Sequence, residues 1–442
     1  MTITLFFKQI NDLLAIPSTL AFLGVAIFLT FKTGFVQLRS LRRFKQLVTA
    51  GGAQEDRGPD QQNAISSLGA LFTAMSTTIG MGNVVMPAIA IAIGGPGALF
   101  WLVAYSFVGC VTKFAEVTFA LHARKTTAAG YIMGGPTQYL KLIAPWLAKW
   151  YGGATLVLFA CWSAMQSNTL AEILFQEGIV KWHTGLAVST LLFAILYGGA
   201  HRVSAWASKL VPLMFVLYVS FSLIILFQDP TALWNAFKLI GGNIIQPAAA
   251  VGGFAGASLF EAIRWGTYQS VYITEAGVGT SAIPHSLADV ERPTDQGILA
   301  MYSMAADMFL SAISGLLVLV TGVWMHKGEP SSALIYKAFK LSSPYYGDII
   351  LIASVTLFVL TTIIGNSFNG GESFAYFTKH RWVRLYYFFA TVLVFLGSLS
   401  SVPLILHATS VVLVGIAIPN LLGIALLAIR YPEVLDIRSK KR

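Results

Sequence analysis

Four polar side chains cluster beside two glycines and a proline in the middle of a long apolar segment. The stretch TTIGMGNVVMPA begins at Thr77, and the polar side chains nearby are Ser76, Thr77, Thr78 and Asn83. Glycine and proline interrupt helices, and an interrupted helix frees backbone carbonyl and N–H groups. Neutral oxygens coordinate small hard cations, and the positive end of a half-helix can hold a carboxylate. The spacing therefore indicates a site for a cation and a carboxylate near residues 79–83.

An alternative interpretation of this segment is a kinked helix whose glycines merely allow close packing against a neighbour. In hydrocarbon, a broken helix survives only where protein or a water-filled cavity satisfies the freed backbone groups. The four polar residues beside the break favour a binding site over a simple kink.

A second segment has the same character. The stretch QPAAAVGGFAGASLFEAIRWG, residues 246–266, is apolar, is broken by small residues and contains Ser258 and Glu261. Transporters built from two inverted five-helix halves open each half with an interrupted helix, and the two breaks meet at the middle of the bilayer. The hydropathy pattern is typical of such a repeat.

The bulk composition is that of a polytopic membrane protein. The chain has 442 residues, of which 56% are hydrophobic and 11% charged, and its mean hydropathy is +0.71. Soluble domains carry about a quarter charged residues. Apolar runs of bilayer length predict about eleven spanning helices, near residues 16–35, 64–94, 97–121, 152–177, 184–200, 206–227, 248–268, 298–325, 347–377, 383–400 and 402–429.

The expected organisation is an extra N-terminal helix with a cytoplasmic loop, two five-helix repeats and a basic cytoplasmic tail. Their bounds are 1–63, 64–228, 229–429 and 430–442. The links at 36–63 and 229–247 are expected to be surface connections. The first apolar segment lacks a basic leader and a small-residue cleavage site, so we expect a retained span rather than a signal peptide.

The basic residues predict the orientation in the membrane. Most of the 29 Lys and Arg residues fall in one set of alternate loops, which the positive-inside rule places in the cytoplasm. We therefore expect a multi-pass protein of the plasma membrane (the bacterial inner membrane), with its N-terminus outside and its C-terminus cytoplasmic. The net charge of +10 is explained by contact of the basic loops with anionic lipid headgroups, so no nucleic-acid partner is predicted.

Charged residues within spans are costly and therefore informative. Lys113 and Glu116 are spaced to meet on one helix face, and we expect a structural pair. Glu261 and Arg264 have the same spacing and suit a gate, although an unpaired Glu261 could instead carry a proton.

Two further carboxylates belong to this group. Asp307 lies in a span without an obvious local partner, which makes it a candidate coupling residue. Glu275, in TEAGVG, is expected to organise a cytoplasmic loop.

Seven ordered stretches resemble the signatures of the sodium:alanine/glycine symporters. They are TIGMGNVVMPAIAIAIGGPGALFW, TKFAEV, GGPTQYL, MQSNTLAE, AIRWG…TEAGVGTSAIPH…DQG, TTIIGNSFNGGE and AIPNLLGIALL, between about Ser66 and Leu427. The resemblance implies an all-α fold of the amino acid–polyamine–cation superfamily. This is the leucine-transporter-like 5+5 inverted repeat with two discontinuous helices, preceded by one extra helix. It also implies uptake of alanine or glycine with a cation, usually Na+.

The resemblance also implies site residues. The substrate-binding positions are Thr78, Gly80, Gly82, Asn83, Gln166, Asn168, Gly256, Ser258 and Asn366. The sodium positions are Ile79, Thr361 and Thr362, although the two threonines could instead bond to their own helix carbonyls. The family usually has a tryptophan where this chain has Asn366, which would enlarge the pocket and add an amide.

The leading hypothesis is a secondary active transporter that moves a small amino acid with Na+. Coupling to H+, with another small amino acid or related solute, is the alternative, and an ion channel is less favoured because intramembrane charge is sparse. The chain contains no HExxH, no GxSxG and no carboxylates paired at catalytic spacing, so neither an enzyme nor an organic cofactor is predicted. Cys110 and Cys161 lie in apolar segments and are expected to be packing residues.

Overall fold

The fold is almost entirely helical. The structure is a computed structural model that describes residues 3–52, 63–245, 259–325, 333–343, 347–400 and 402–438. The first ten helices are α1 (Ile3–Lys32), α2 (Val36–Arg39), α3 (Leu41–Thr49), α4 (Ser67–Thr78), α5 (Met81–Gly94), α6 (Gly97–His122), α7 (Pro136–Lys141), α8 (Pro145–Gln176), α9 (Lys181–Leu196) and α10 (Gly199–Gln228).

The second part of the chain is also helical. Its helices are α11 (Pro230–Gly242), α12 (Leu259–Thr274), α13 (Ala282–His285), α14 (Pro293–Val320), α15 (Ala333–Ser342), α16 (Gly347–Thr378), α17 (Val383–Leu399) and α18 (Val402–Arg430). A short antiparallel hairpin, β1 (Lys125–Thr126) with β2 (Ile132–Met133), lies between α6 and α7.

Several helices are long and apolar enough to cross a bilayer. Within the described ranges, five qualify alone: α6, α10, α14, α16 and the part of α18 from Thr409 to Arg430. The helices α4 and α5 qualify together as a span that bends by 41° at a short break. Each of the eleven expected segments overlaps one of the described helices.

The first predicted break is confirmed. The helix α4 ends at Thr78 and α5 begins at Met81, so the interruption is shorter than the expected 79–83. The second predicted break lies mostly outside the described residues, because 246–258 are not described. Its second half, α12, runs to Thr274, farther than the sequence indicated.

Both links predicted as surface connections contain short helices, which the sequence analysis did not anticipate. The link after α1 holds α2 and α3, and the link after α10 holds α11. Local signals explain α11, since Asp229 accepts a hydrogen bond from the backbone N–H of Ala232 at 2.8 Å and Pro230 occupies the first helical position. Such an acidic cap followed by proline favours helix initiation.

The interior of the bundle is formed chiefly by α5, α6, α14 and α16, whose side chains are mostly buried. The outer faces of α10 and α17 expose large apolar side chains, among them Ile224, Phe227 and Leu396. An exposed apolar surface of this kind suits contact with lipid.

Glycines allow the inner helices to approach closely. A Cβ built on Gly266 of α12 would lie 2.6 Å from the carbonyl oxygen of Ala98 and 2.9 Å from the backbone nitrogen of Leu102, both on α6. These are backbone atoms of a neighbouring helix, so they cannot rotate away. Small residues at such crossings replace the hydrophobic driving force that lipid does not supply.

We predict that Gly266→Ala destabilises the fold, because α6 and α12 must separate to accommodate one methyl group. An overpacked contact of this type costs about 1–3 kcal/mol, so the apparent melting temperature in detergent should fall by several degrees. The control is Gly153→Ala on α8, where a Cβ meets nothing within 4 Å. A fall of equal size in both variants would contradict the packing argument.

A buried histidine joins the segments around α4, α13 and α14. The amide nitrogen of Gln296 lies 2.8 Å from Nδ1 of His285, and its amide oxygen accepts a hydrogen bond from the hydroxyl of Ser67 at 2.6 Å. Nδ1 is therefore the acceptor and carries no proton. Burial, with a smaller contribution from the charge of Lys113, lowers the pKa of His285 to about 3.

We predict that this histidine makes the protein acid-labile. Since its folded pKa lies below the ordinary value of 6.5, the stabilisation is complete above pH 6.5 and declines by about 1.4 kcal/mol per pH unit below it. Melting curves between about pH 7.5 and about pH 5 should show a smaller decline for His285→Asn, whose amide oxygen can replace Nδ1 as acceptor. Equal declines in the two proteins would show that other groups cause the acid sensitivity.

Candidate functional site

The break between α4 and α5 is stabilised by its own sequence. Ile79 and Gly80 have extended backbone conformations, and the side-chain oxygen of Asn83 accepts a hydrogen bond from the N–H of Gly80 at 3.0 Å. The N–H of Asn83 in turn donates to the carbonyl of Gly80 at 3.1 Å. This reciprocal arrangement is a helix N-cap, and it explains why α5 resumes at Met81.

A small, partly open cavity lies beside the break. Its walls come from both half-helices and from α8, α12 and α16. The lining residues are Thr77, Thr78, Gly80, Gly82, Trp162, Gln166, Tyr272, Ile273, Glu275, Thr362 and Asn366. The structure therefore brings together six of the residues proposed from the sequence for substrate or ion: Thr78, Gly80, Gly82, Gln166, Thr362 and Asn366.

The cavity wall contains three residues that the sequence reasoning did not select. Trp162 lies one turn before Gln166 on α8, and its ring packs edge-to-face on Tyr272 at a centroid distance of 5.9 Å. Tyr272 and Ile273 are on α12, directly before the TEAG stretch. The i, i+4 spacing of Trp162 and Gln166 could have predicted Trp162 as a site residue, since it places both side chains on one helix face.

The backbone of the break lies close to α16. The hydroxyl oxygen of Thr362 is 3.5 Å from the carbonyl oxygen of Ile79, and a Cβ built on Gly80 would lie 2.3 Å from that hydroxyl. Only glycine permits this approach. Two oxygens at this distance subtend close to a right angle at a cation about 2.4 Å from each, as hard-cation ligands do.

The neighbouring threonine has other partners. The hydroxyl of Thr361 bonds to the carbonyls of Leu357 and Phe358 on its own helix, at 2.9 and 3.0 Å, and contacts the sulfur of Met214 at 3.1 Å. Helix-directed bonding was the alternative expected for both threonines, and the structure shows it for Thr361. The oxygens of Ile79 and Thr362 are therefore better placed than the hydroxyl of Thr361 to coordinate a sodium ion.

Asp307 on α14 lies directly behind the break. The amide nitrogen of Asn83 donates to its backbone carbonyl at 3.3 Å and lies 3.5 Å from one carboxylate oxygen. The carboxyl group is fully buried, and its second oxygen has no hydrogen-bond partner. Asn83 therefore connects the break to a buried carboxylate, although neither Asn83 nor Asp307 lines the cavity.

Glu275, which directly follows α12, also lines the cavity. Its carboxylate accepts a hydrogen bond from the hydroxyl of Thr280 at 2.5 Å. The ammonium group of Lys113 donates to the carbonyl of Thr274 at 3.3 Å. Glu275 thus organises the segment after α12 and also contributes to the cavity wall.

The expected structural pair of Lys113 and Glu116 was wrong. The structure records no ion pair between these two residues, although both are fully buried on α6. The carboxylate of Glu116 instead accepts a hydrogen bond from Asn420 on α18 at 2.8 Å. Helical spacing made the contact possible, but partners on α12 and α18 determined where each side chain lies.

Other residues selected from the sequence lie elsewhere. The amide of Asn168 donates to the carbonyls of Gly397 and Ser400, at 3.2 and 2.6 Å, and so attaches α8 to the end of α17. Glu261 and Arg264 form the expected ion pair at 3.3 Å. Gly256 and Ser258 lie outside the described residues.

Comparisons with known proteins agree with this architecture. A solved structure, MhsT in complex with L-phenylalanine, superposes with a TM-score of 0.60 over 85% of this chain and 91% of that chain, at 16% sequence identity. That similarity shows the fold, which is of the leucine-transporter type.

Sequence relatives are more informative about the family. The sodium/alanine symporter AgcS of Methanococcus maripaludis is 30% identical over 92% of this chain and 90% of its own length. An uncharacterized transporter of Haemophilus influenzae is 31% identical over 94% and 91%. The family model described as the sodium:alanine symporter family matches residues 1–440. On this match across nearly the whole chain, the protein belongs to the sodium:alanine symporter family, a family of membrane transporters.

Proposed function

We propose that the protein is a secondary active transporter that couples Na+ to the uptake of a small amino acid by alternating access. The observation that carries this proposal is the break at Ile79–Gly80 beside a cavity whose wall includes the neutral polar side chains of Thr77, Thr78, Gln166, Thr362 and Asn366. Broken helices at such a site supply N–H groups for a carboxylate and carbonyl oxygens for cations. Alanine and glycine are the first candidates, because AgcS is by name a sodium/alanine symporter.

Each part of the site has a role in this proposal. The first N–H groups of α5, at Met81 and Gly82, lack partners within their helix and would hold the substrate carboxylate. The last carbonyls of α4 would hold the ammonium group. The oxygens of Ile79 and Thr362 would hold Na+, with Thr361 as a further ligand, and Asn83 would hold the break in its extended conformation through its bond to Gly80.

The whole-chain arrangement is part of the proposal. It comprises about eleven spanning helices in two inverted five-helix repeats, 64–228 and 229–429, after an extra helix and its loop in 1–63. The basic tail, 430–442, would lie in the cytoplasm and the N-terminus outside, because basic loops remain on the cytoplasmic side. Glu261 with Arg264 and Glu275 would contribute to closing the two ends of the site. Gly256, Ser258 and Asn168 complete the proposed substrate-site residues.

A proton is the second candidate for the coupling ion. Asp307 supports it, since this carboxyl group is fully buried and one of its oxygens has no hydrogen-bond partner among the described residues. Buried carboxyl groups of this type form proton relays in transporters.

We predict that purified protein in proteoliposomes accumulates labelled alanine or glycine when an inward Na+ gradient is imposed. Asn83→Ala should abolish accumulation, because it removes both the cap of Gly80 and the link to Asp307, at a cost of only about 1 kcal/mol in stability. Uptake is measured with separate Na+ and H+ gradients, and folding by size-exclusion chromatography. Accumulation with H+ alone would support the proton alternative, and normal uptake by Asn83→Ala would contradict the proposed site.

A second prediction concerns the cation ligand on α16. Thr362→Val keeps the side-chain shape but removes one proposed Na+ oxygen, so Na+-driven uptake should fall about tenfold or more. The matched control is Thr356→Val on the same helix, whose hydroxyl bonds to the carbonyl of Ile352 at 2.7 Å away from the cavity. Uptake is measured against Na+ concentration. Unchanged Na+ dependence in Thr362→Val would remove this residue from the ion site.

A further inference from the structure

Two amide side chains line the cavity without using their hydrogen-bonding capacity. Asn366 on α16 is 1% exposed, and within the described part of the chain neither its amide nitrogen nor its amide oxygen has a hydrogen-bond partner. Gln166 on α8 is 5% exposed, and its amide oxygen also has no partner. Both residues belong to the cavity wall, which therefore carries at least one unused donor and two unused acceptors.

These unused groups are costly unless a ligand satisfies them. A buried amide that loses its hydrogen bonds to water and gains none from protein is destabilising. An apolar ligand group against the amide leaves this desolvation cost uncompensated, whereas a ligand group that donates and accepts hydrogen bonds compensates it. Sites built to bond a polar substrate group reject the analogue that lacks it by large factors, because the site's own polar atoms are then left unpaired.

The position of the two amides separates them from the groups that bind the substrate main chain. In the proposed transport site, the carboxylate and ammonium of an amino acid use the break between α4 and α5. Gln166 and Asn366 are on α8 and α16 instead, so they remain for the third substituent of the α-carbon, the side chain. Among the described residues of the cavity wall, Glu275 is the acidic group and none is a lysine or arginine, which disfavours an acidic side chain.

We propose that the physiological substrate is a neutral amino acid with a hydrogen-bonding side chain, a hydroxyl or a carboxamide. Serine, threonine, asparagine and glutamine are members of this class. A hydroxyl accepts from the amide nitrogen of Asn366 and donates its one proton to the amide oxygen of Asn366 or Gln166, whereas a carboxamide can donate to both oxygens. This inference rests on the proposed function and deepens it, since it ranks small amino acids with a polar side chain above alanine and glycine as substrates of the same site.

Pairs of amino acids with matched shape test the inference in the unmodified protein. Serine and 2-aminobutyrate differ by a hydroxyl against a methyl group, and asparagine and leucine by a carboxamide against an isobutyl end. We expect the ratio of uptake rate to half-saturating concentration to favour the polar member by about tenfold to a hundredfold. Uptake is measured in proteoliposomes with the gradient that drives transport.

A variant on α16 tests whether Asn366 causes the preference for polar side chains. Asn366→Leu keeps the approximate volume and removes both hydrogen-bonding atoms, so the preference for serine over 2-aminobutyrate should fall to about threefold or less. The matched control is Asn369→Leu, one turn farther along the helix. Asn369 is equally buried and its amide is also unpartnered, but it does not line the cavity. The control should keep the preference of the unmodified protein.

The possible outcomes separate the two proposals. Uptake of 2-aminobutyrate and alanine as efficient as that of serine would overturn the inference while leaving amino acid transport intact. Transport confined to lysine or arginine would also overturn it and would indicate that Glu275 recognises the substrate side chain. Loss of preference in Asn369→Leu but not in Asn366→Leu would remove Asn366 from the side-chain site. Failure of every amino acid to accumulate under either gradient would contradict the proposed function itself.

Discussion

The structure around the site depends on one constraint, which is that backbone polar groups inside a membrane need partners. The interruption at Ile79 and Gly80 frees such groups at the middle of a span. Asn83 satisfies one of them locally, and α16 approaches closely enough for Thr362 to face the carbonyl of Ile79. The break also borders a cavity, to which Thr78, Gly80 and Gly82 contribute. A break that would be unstable in lipid thus becomes the feature around which the cavity is arranged.

Close approach of the helices is what makes this arrangement possible. Gly80 allows α16 to contact the break, and Gly266 allows α12 to contact α6. Both positions lack space for a single methyl group. Without hydrophobic association to hold helices together in lipid, small residues and the van der Waals contacts that they permit determine which helices are neighbours. The same contacts position residues of α8, α12 and α16 around one cavity.

Buried charges in this protein have partners chosen by the tertiary structure. Lys113 donates to the backbone carbonyl of Thr274 at the end of α12, and Glu116 accepts from Asn420, whose amide oxygen also accepts a hydrogen bond from Tyr139 at 2.7 Å. Helices that are far apart in sequence are joined in this way at one end of the bundle. Hydrogen bonds from neutral groups on several helices offset part of the desolvation penalty of a buried charge.

The sequence by itself determined the helical class, the approximate place of each apolar segment, the first break and the family. These features follow from hydropathy, from glycine and proline positions and from ordered motifs, all of which are local along the chain. It also selected Thr78, Gly80, Gly82, Gln166, Thr362 and Asn366, which the cavity brings together. The tertiary structure alone decided that Asn168 attaches α17, that Lys113 and Glu116 do not pair, and that Trp162 and Tyr272 form a wall. The reason is that a side chain on a helix has several neighbours within reach, and only the packing of the other helices determines which of them it contacts.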